Sequence, residues 1–272
     1  MQGQADRLAR LLEKHAPDPE LLRIELQALA NPAKLGSSPP LIARAIYQRA
    51  RELTGIEDPY QDEKAHSTQL ALSLLPELRR LVQASDDPLQ AAIQIAIAGN
   101  IIDFGPGRTF DLEAQLEHAL ATPIDTHVLE KMRRDLISAK RVLYLGDNAG
   151  EAVLDRLLVE QIAAPVTFAV RGSPVINDVT EAEAIAAGLD QIAEILSTGS
   201  DIPGILLEEC SPKFQQTFAA SDLIISKGQG NYESLSGMAG PIYYLLVVKC
   251  DLVAGHLSKQ VGDFALLAAN LS

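Results

Sequence analysis

Asp147 and Asn148 stand side by side between Gly146 and Gly150, straight after the apolar run Val142–Leu145. A carboxylate beside an amide carbonyl offers two hard oxygen ligands, a set that suits Mg²⁺ or Mn²⁺ rather than zinc. The same pair would also serve as an ordinary cap for the helix that follows. Asp178 closes the next polar loop, 171–178, and Asp178-Val179-Thr180-Glu181 has the form of a capping box, so it too has a plainer use. Lys227 lies in the glycine-rich stretch Ser226–Asn231 with Gly228, Gln229 and Gly230. Glycines there permit close backbone approach, and an ammonium can pair with phosphate oxygens. The spacing is not that of a P-loop. Lys249 ends the apolar run Ile242–Val248 and either faces the same rim or marks the solvent boundary. Asn100 and Asp103 interrupt an apolar helix and share one face near its end, as a cleft wall or as a satisfied polar pair. The five histidines have no ligand spacing and are assigned no role.

Two kinds of segment must position these groups. The first ~125 residues hold apolar positions three and four apart, the helical period, with helices expected over 40–52, 64–83, 88–99 and 111–121. From about Pro123 the texture changes. After a helix over 125–139, strands are expected at 142–145, 166–170, 192–196, 223–225 and 242–248, with an edge strand at 264–268. Helices are expected between them at 151–162, 179–187 and 212–219. Continuous apolar strands alternating with helices imply a mostly parallel sheet covered on both faces. Five or six strands are too few for an eight-stranded barrel, which leaves an open, doubly wound α/β sheet. The division expected is residues 1–123 as a helical domain and 124–272 as an α/β metal-binding catalytic domain. In such a sheet the loops after the strands meet on one rim, and here those loops carry Asp147, Asn148, Asp178, Lys227 and Lys249.

Bulk properties narrow the partners. The 36 acidic and 23 basic residues leave a formal charge of -13, which repels a nucleic-acid backbone. No apolar run approaches the ~20 residues of a membrane span, and the start of the chain has no apolar leader. Cys210 and Cys250 are far apart, as expected of thiols in a reducing compartment. The expectation is a cytoplasmic protein that binds neither nucleic acid nor membrane.

Six stretches together resemble the metal-dependent damage-control phosphatase family, formerly a domain of unknown function, in its stand-alone prokaryotic subfamily. They are AGNIIDFG (98–105), GDNAGE (146–151), RGSPVINDVT (171–180), STGSDIPG (197–204), SKGQGNYE (226–233) and KC (249–250). The resemblance implies a helical domain packed on a Rossmann-like three-layer α/β/α sheet domain, with one divalent metal (Mn, Mg, Co or Ni) between them. It implies metal ligation by Asp147, Asn148 and Asp178, and phosphate contacts from Lys227 and Lys249. Substrate contacts are implied at Asn100, Asp103, Gly228, Gln229 and Asn231. The implied substrates are small phosphorylated metabolites, sugar phosphates or phosphopantetheine-like compounds. Two departures stand out: many relatives begin with a CxxC pair that this chain lacks, and Asp251 stands where they often have proline.

Two other readings compete. VLYLGDNAGE superficially resembles the first loop of S-adenosylmethionine-dependent methyltransferases, but Asp147 and Asn148 occupy the place of the glycine turn, and the second strand ends in Arg171 rather than an acidic residue. A non-catalytic phosphometabolite-binding protein is the other, although binding alone does not require an activating metal.

Overall fold

Proline and aspartate punctuate the helices of the N-terminal region. A computed structural model of the chain describes residues 2–30, 39–99 and 112–269; Asn100 and Asp103 lie outside them. Among the described residues, α1 (Gln2–Leu12), α2 (Pro19–Leu29), α3 (Pro39–Thr54), α4 (Gln61–Ala84), α5 (Pro88–Ala98), α6 (Leu112–Ala121) and α7 (Thr126–Ser138) precede the first strand. Asp18, Asp87 and Asp125 cap α2, α5 and α7, each accepting hydrogen bonds from the amides of the first turn. No helix among the described residues is long and apolar enough to cross a membrane.

Strands and helices then alternate as β1 (Val142–Leu145), α8 (Ala149–Val159), β2 (Val166–Val170), α9 (Glu181–Ala186), β3 (Glu194–Ser197), α10 (Pro212–Ala220), β4 (Leu223–Lys227), α11 (Gly228–Leu235), β5 (Ile242–Val247), α12 (Asp251–Leu257) and β6 (Phe264–Ala268). The strand order is β3-β2-β1-β4-β5-β6, parallel except for the antiparallel β5–β6 pair. A mixed α/β fold with a mostly parallel six-stranded sheet is therefore what the chain adopts. Two helices, α11 and α12, fall where no helix is read from the sequence. The glycine-rich start of α11 masks its period, and α12 has only seven residues.

Alternation of side chains divides the core. Val142, Tyr144, Phe168 and Ile225 join one hydrophobic cluster with residues of α4, α5, α7 and α8. Leu143, Leu145, Ile224 and Tyr244 join another with Phe214, Phe218, Tyr232 and Val253 from α10 to α12. Helices α4 and α8 pack along each other, so α4 and α5 share their core with the sheet. By contrast α1, α2 and α3 build a third cluster, into which the loop after β2 inserts Val175. Leu154 of α8 is fully buried where these helices meet the sheet. Leu154→Ala should lower stability by about 2–5 kcal/mol. In urea denaturation followed by circular dichroism, helix and strand signals should be lost together at a lower midpoint.

Candidate active site

Parallel strands bring their C-terminal ends to one rim, where open sheets bind ligands. β1 and β2 are paired in register, Leu145 against Ala169, so the loops 146–148 and 171–178 leave the sheet side by side. They then join. Val179 N–H donates to the Asp147 carbonyl at 2.8 Å, Ala149 N–H donates to the Asn177 carbonyl at 2.9 Å, and Asn148 and Asp178 form an isolated antiparallel bridge. This short ladder seats Asp147, Asn148 and Asp178 together.

Neither Asn148 nor Asp178 is spent on capping. Asn148 holds the N-cap position of α8 without a side-chain bond to the helix amides. Its Nδ2 donates instead to Glu151 at 3.0 Å and to Asp147 at 3.2 Å. The capping box expected at Asp178 lies two residues on, where Glu183 accepts from the Thr180 N–H at 2.8 Å. That shift releases the Asp178 carboxylate, which accepts from Arg171 Nε at 2.6 Å. Nearby Ile176 has φ 48°, a left-handed conformation that costs a β-branched residue about 1–3 kcal/mol. Such local strain persists only where surrounding contacts hold it.

Asp147, Asn148, Asp178, Gln229 and Lys249 line one cavity of about 290 Å³, together with Ile176 and Gly230. Gly228 packs against Asp147 in a way no other residue allows. It has φ 80°, and a Cβ added there would stand 2.0 Å from Asp147 Oδ2. Gln229 accepts from the Lys249 N–H at 2.9 Å and so holds the end of β5 to the start of α11. Asn231, fully buried, donates to the carbonyls of Gly146 (3.2 Å) and Lys227 (2.8 Å) and accepts from Arg171 Nη2 at 3.0 Å. It thereby ties the ends of β1, β2 and β4.

Lys227 departs from its expected place. Of the two lysines aimed at a phosphate by the sequence, Lys249 lines the cavity and is exposed, whereas Lys227 is 0% exposed. The Lys227 ammonium donates to the Ala96 carbonyl at 2.8 Å and pairs with Glu151 and Asp155. Tyr144 hydroxyl adds a 2.8 Å bond to Asp155. Although burial opposes its charge, Asp155 and Glu151 hold the Lys227 ammonium above the usual lysine range. Glu151 and Arg171 fall within GDNAGE and RGSPVINDVT, but they and Asp155 are given no role by the sequence because they read as helix and strand-end residues. For Glu151 and Asp155 the visible signal is two acidic residues four apart on the largely apolar helix AGEAVLDRLLV.

Electrostatics mark the cavity as short of positive charge. Burial, then the neighbouring Glu151 and Asp178, push the Asp147 carboxyl up to about 7, against the pull of Lys249 and Arg171. Burial likewise raises Asp178, opposed by Arg171. A bound cation would relieve this crowding, and two carboxylates with an amide oxygen are a donor set for a hard divalent ion. Among the described residues no three His, Cys, Asp or Glu side chains stand in a metal-binding group, so the candidate set depends on the Asn148 amide.

Comparison with known proteins identifies the family. Residues 3–264 match the damage-control phosphatase ARMT1-like domain. The chain belongs to the damage-control phosphatase family. A damage-control phosphatase of Archaeoglobus fulgidus is 36% identical over 229 residues, covering 82% of this chain and 80% of that one. The damage-control phosphatase of Pyrococcus horikoshii is 30% identical over 268 residues, covering 95% and 92%. The crystal structure of a Pyrococcus horikoshii protein of the DUF89 family superposes with a TM-score of 0.85 at 30% identity, covering 98% of this chain and 96% of that one. Family membership sets aside the methyltransferase reading of VLYLGDNAGE.

Removing Lys227 tests the charge cluster beneath this phosphatase-family cavity. Lys227→Met leaves Glu151 and Asp155 buried without their cation, at a cost of about 3–5 kcal/mol near pH 8. Asp155 is already pushed up to about 7 by burial despite Lys227, and losing the lysine moves it further up. A carboxyl with a raised folded-state pKa contributes stability at low pH that is lost as pH rises through that value. Urea midpoints should therefore show a larger deficit for the variant at pH 8 than at pH 5.

Proposed function

We propose that the chain is a divalent-metal-dependent phosphatase that hydrolyses phosphate monoesters of small metabolites, sugar phosphates or phosphopantetheine-like compounds. The observation that carries this reading is the joining of Asp147, Asn148 and Asp178 on one cavity with Lys249, in a chain of the damage-control phosphatase family. On this reading those three side chains hold one Mn²⁺, Mg²⁺, Co²⁺ or Ni²⁺ ion, which when bound supplies Lewis-acid stabilisation of phosphoryl oxygens.

The residues of the chain then divide the remaining work. Lys249, at the exposed rim, neutralises a phosphoryl oxygen. The first amides of α11, at Gly228 and Gln229, add the partial positive charge of a helix N-terminus. Gln229 keeps Lys249 against that helix start. Arg171 and Asn231 act from behind by fixing Asp178 and the strand ends. Lys227 contributes by holding α8, and with it Glu151, beneath Asn148. Asn100 and Asp103 remain proposed substrate contacts from the resemblance alone. The attacking group is water or the Asp147 carboxylate, which a trapped phosphoenzyme would distinguish. We read the sheet with its helix-covered faces as a Rossmann-like α/β/α domain over 124–272, the helical domain over 1–123 as its cover, and the setting as cytoplasmic.

The test is a panel of sugar phosphates, nucleotides and phosphopantetheine assayed with each of the four ions. Asp147→Asn keeps the side-chain shape, so circular dichroism should stay native while kcat/KM falls by about 100-fold or more. Thermal stabilisation by Mn²⁺ should disappear with it. Undiminished metal-dependent turnover in the variant would overturn the ligand assignment. Tight binding of esters with no turnover would restore the reading of a non-catalytic binding protein.

A further inference from the structure

The cavity that holds Asp147 has a larger neighbour on the other side of α11. It measures about 520 Å³ and is walled by Leu206, Tyr232, Leu252 and Val253, while Pro40 and Glu233 line both cavities. The same two elements serve the pair. α11 presents Gly230 and Glu233 to the first and Tyr232 and Glu233 to the second, and Lys249 of the first lies three residues before Leu252 of the second. Leu252 is 83% exposed, unusual for a leucine beside a cavity, whereas its neighbour Val253 is buried. Polar tips in this second cavity are engaged by the protein, the Tyr232 hydroxyl lying 3.0 Å from His256 Nδ1 and the Ser234 hydroxyl donating to the Gly230 carbonyl at 2.9 Å. What they leave for a ligand is ring faces and aliphatic surface. At the junction, the Glu233 carboxylate accepts from Gln229 Nε2 at 2.7 Å and places negative charge where the two cavities meet.

We infer that this second cavity is the leaving-group subsite, and that it takes the uncharged, apolar tail of a phosphate monoester whose phosphoryl group sits at Lys249. The inference rests on the phosphatase reading of the first cavity and narrows its substrate class. A compact polyhydroxylated leaving group would give up water in this subsite for few hydrogen-bond partners. A second anionic group would meet Glu233. An aliphatic segment instead gains about fourfold in binding for each methylene removed from water.

Linear alkyl phosphates from ethyl to hexyl, assayed with Mn²⁺, test this directly. In the wild-type chain kcat/KM should rise about fourfold per added methylene until the subsite is filled. Leu252→Asp, at a position 83% exposed, should flatten the rise. Turnover of ethyl phosphate with no gain along the series would overturn the subsite and leave the phosphatase reading standing. Failure of every alkyl ester and of the whole panel of sugar phosphates, nucleotides and phosphopantetheine would defeat the phosphatase reading. Calorimetry with ethyl- and hexylphosphonate then decides the subsite by itself: tighter binding of hexylphosphonate supports it, and equal affinities overturn it. If Leu252→Asp dissociates an oligomer in sedimentation while the chain-length gain persists, the apolar surface belongs to a second copy of the chain and the subsite is overturned.

Discussion

A lysine ammonium buried between two carboxylates underlies the rest of this molecule. Lys227, Glu151 and Asp155 are all fully enclosed, and each belongs to a segment that also carries a cavity residue. Lys227 ends β4 and precedes Gly228. Glu151 lies in the first turn of α8, three residues after Asn148, and receives a hydrogen bond from it. The Ala96 carbonyl draws the end of α5 into the same cluster. Transferring such charges out of water costs several kcal/mol per ion unless geometry and hydrogen bonds compensate. Here the compensation comes from groups on β1, α5, α8 and β4, so the ends of these elements are correctly placed only together.

Above that cluster the balance of charge reverses. Asp147 and Asp178 line the cavity with Glu151 buried close by, and burial together with these charges, which Arg171 and Lys249 only partly offset, raises the Asp147 carboxyl. Negative charge on Asp147 and Asp178 and the exposed Lys249 at the rim suit the dication and the phosphate of the proposed function. Gly228 permits this crowding, since any side chain there would occupy the place of the Asp147 carboxylate.

The N-terminal helices contribute by fastening the loops from outside. Asp201, after β3, is engaged by Arg44 at 2.9 Å, Gln48 at 3.1 Å and Arg51 at 3.4 Å, all on α3. Lys64 of α4, almost fully buried, pairs with Asp58 at 2.6 Å and with Glu183 at 2.8 Å, and Glu183 also completes the capping box after Asp178. Val175 and Ile176, in the loop that carries Asp178, pack into the cluster of α1 to α3. The strained backbone at Ile176 is thus held from both sides.

Local pattern was enough to reveal the alternation of strands and helices and a mostly parallel sheet of five or six strands, and it named Asp147, Asn148, Asp178 and Lys249 as candidates on the rim, where the structure places them around one cavity. Those features follow from apolar runs, helical period and the rule that parallel strands end on one side. Tertiary structure alone decided that Lys227 turns inward, that Asp178 is not a cap, and that Glu151, Asp155 and Arg171 support the cavity. The physical reason is that a side chain's environment is set by partners distant in sequence: Lys227 finds Glu151 and Asp155 more than seventy residues away, and no local spacing encodes which face of a strand end will be dry.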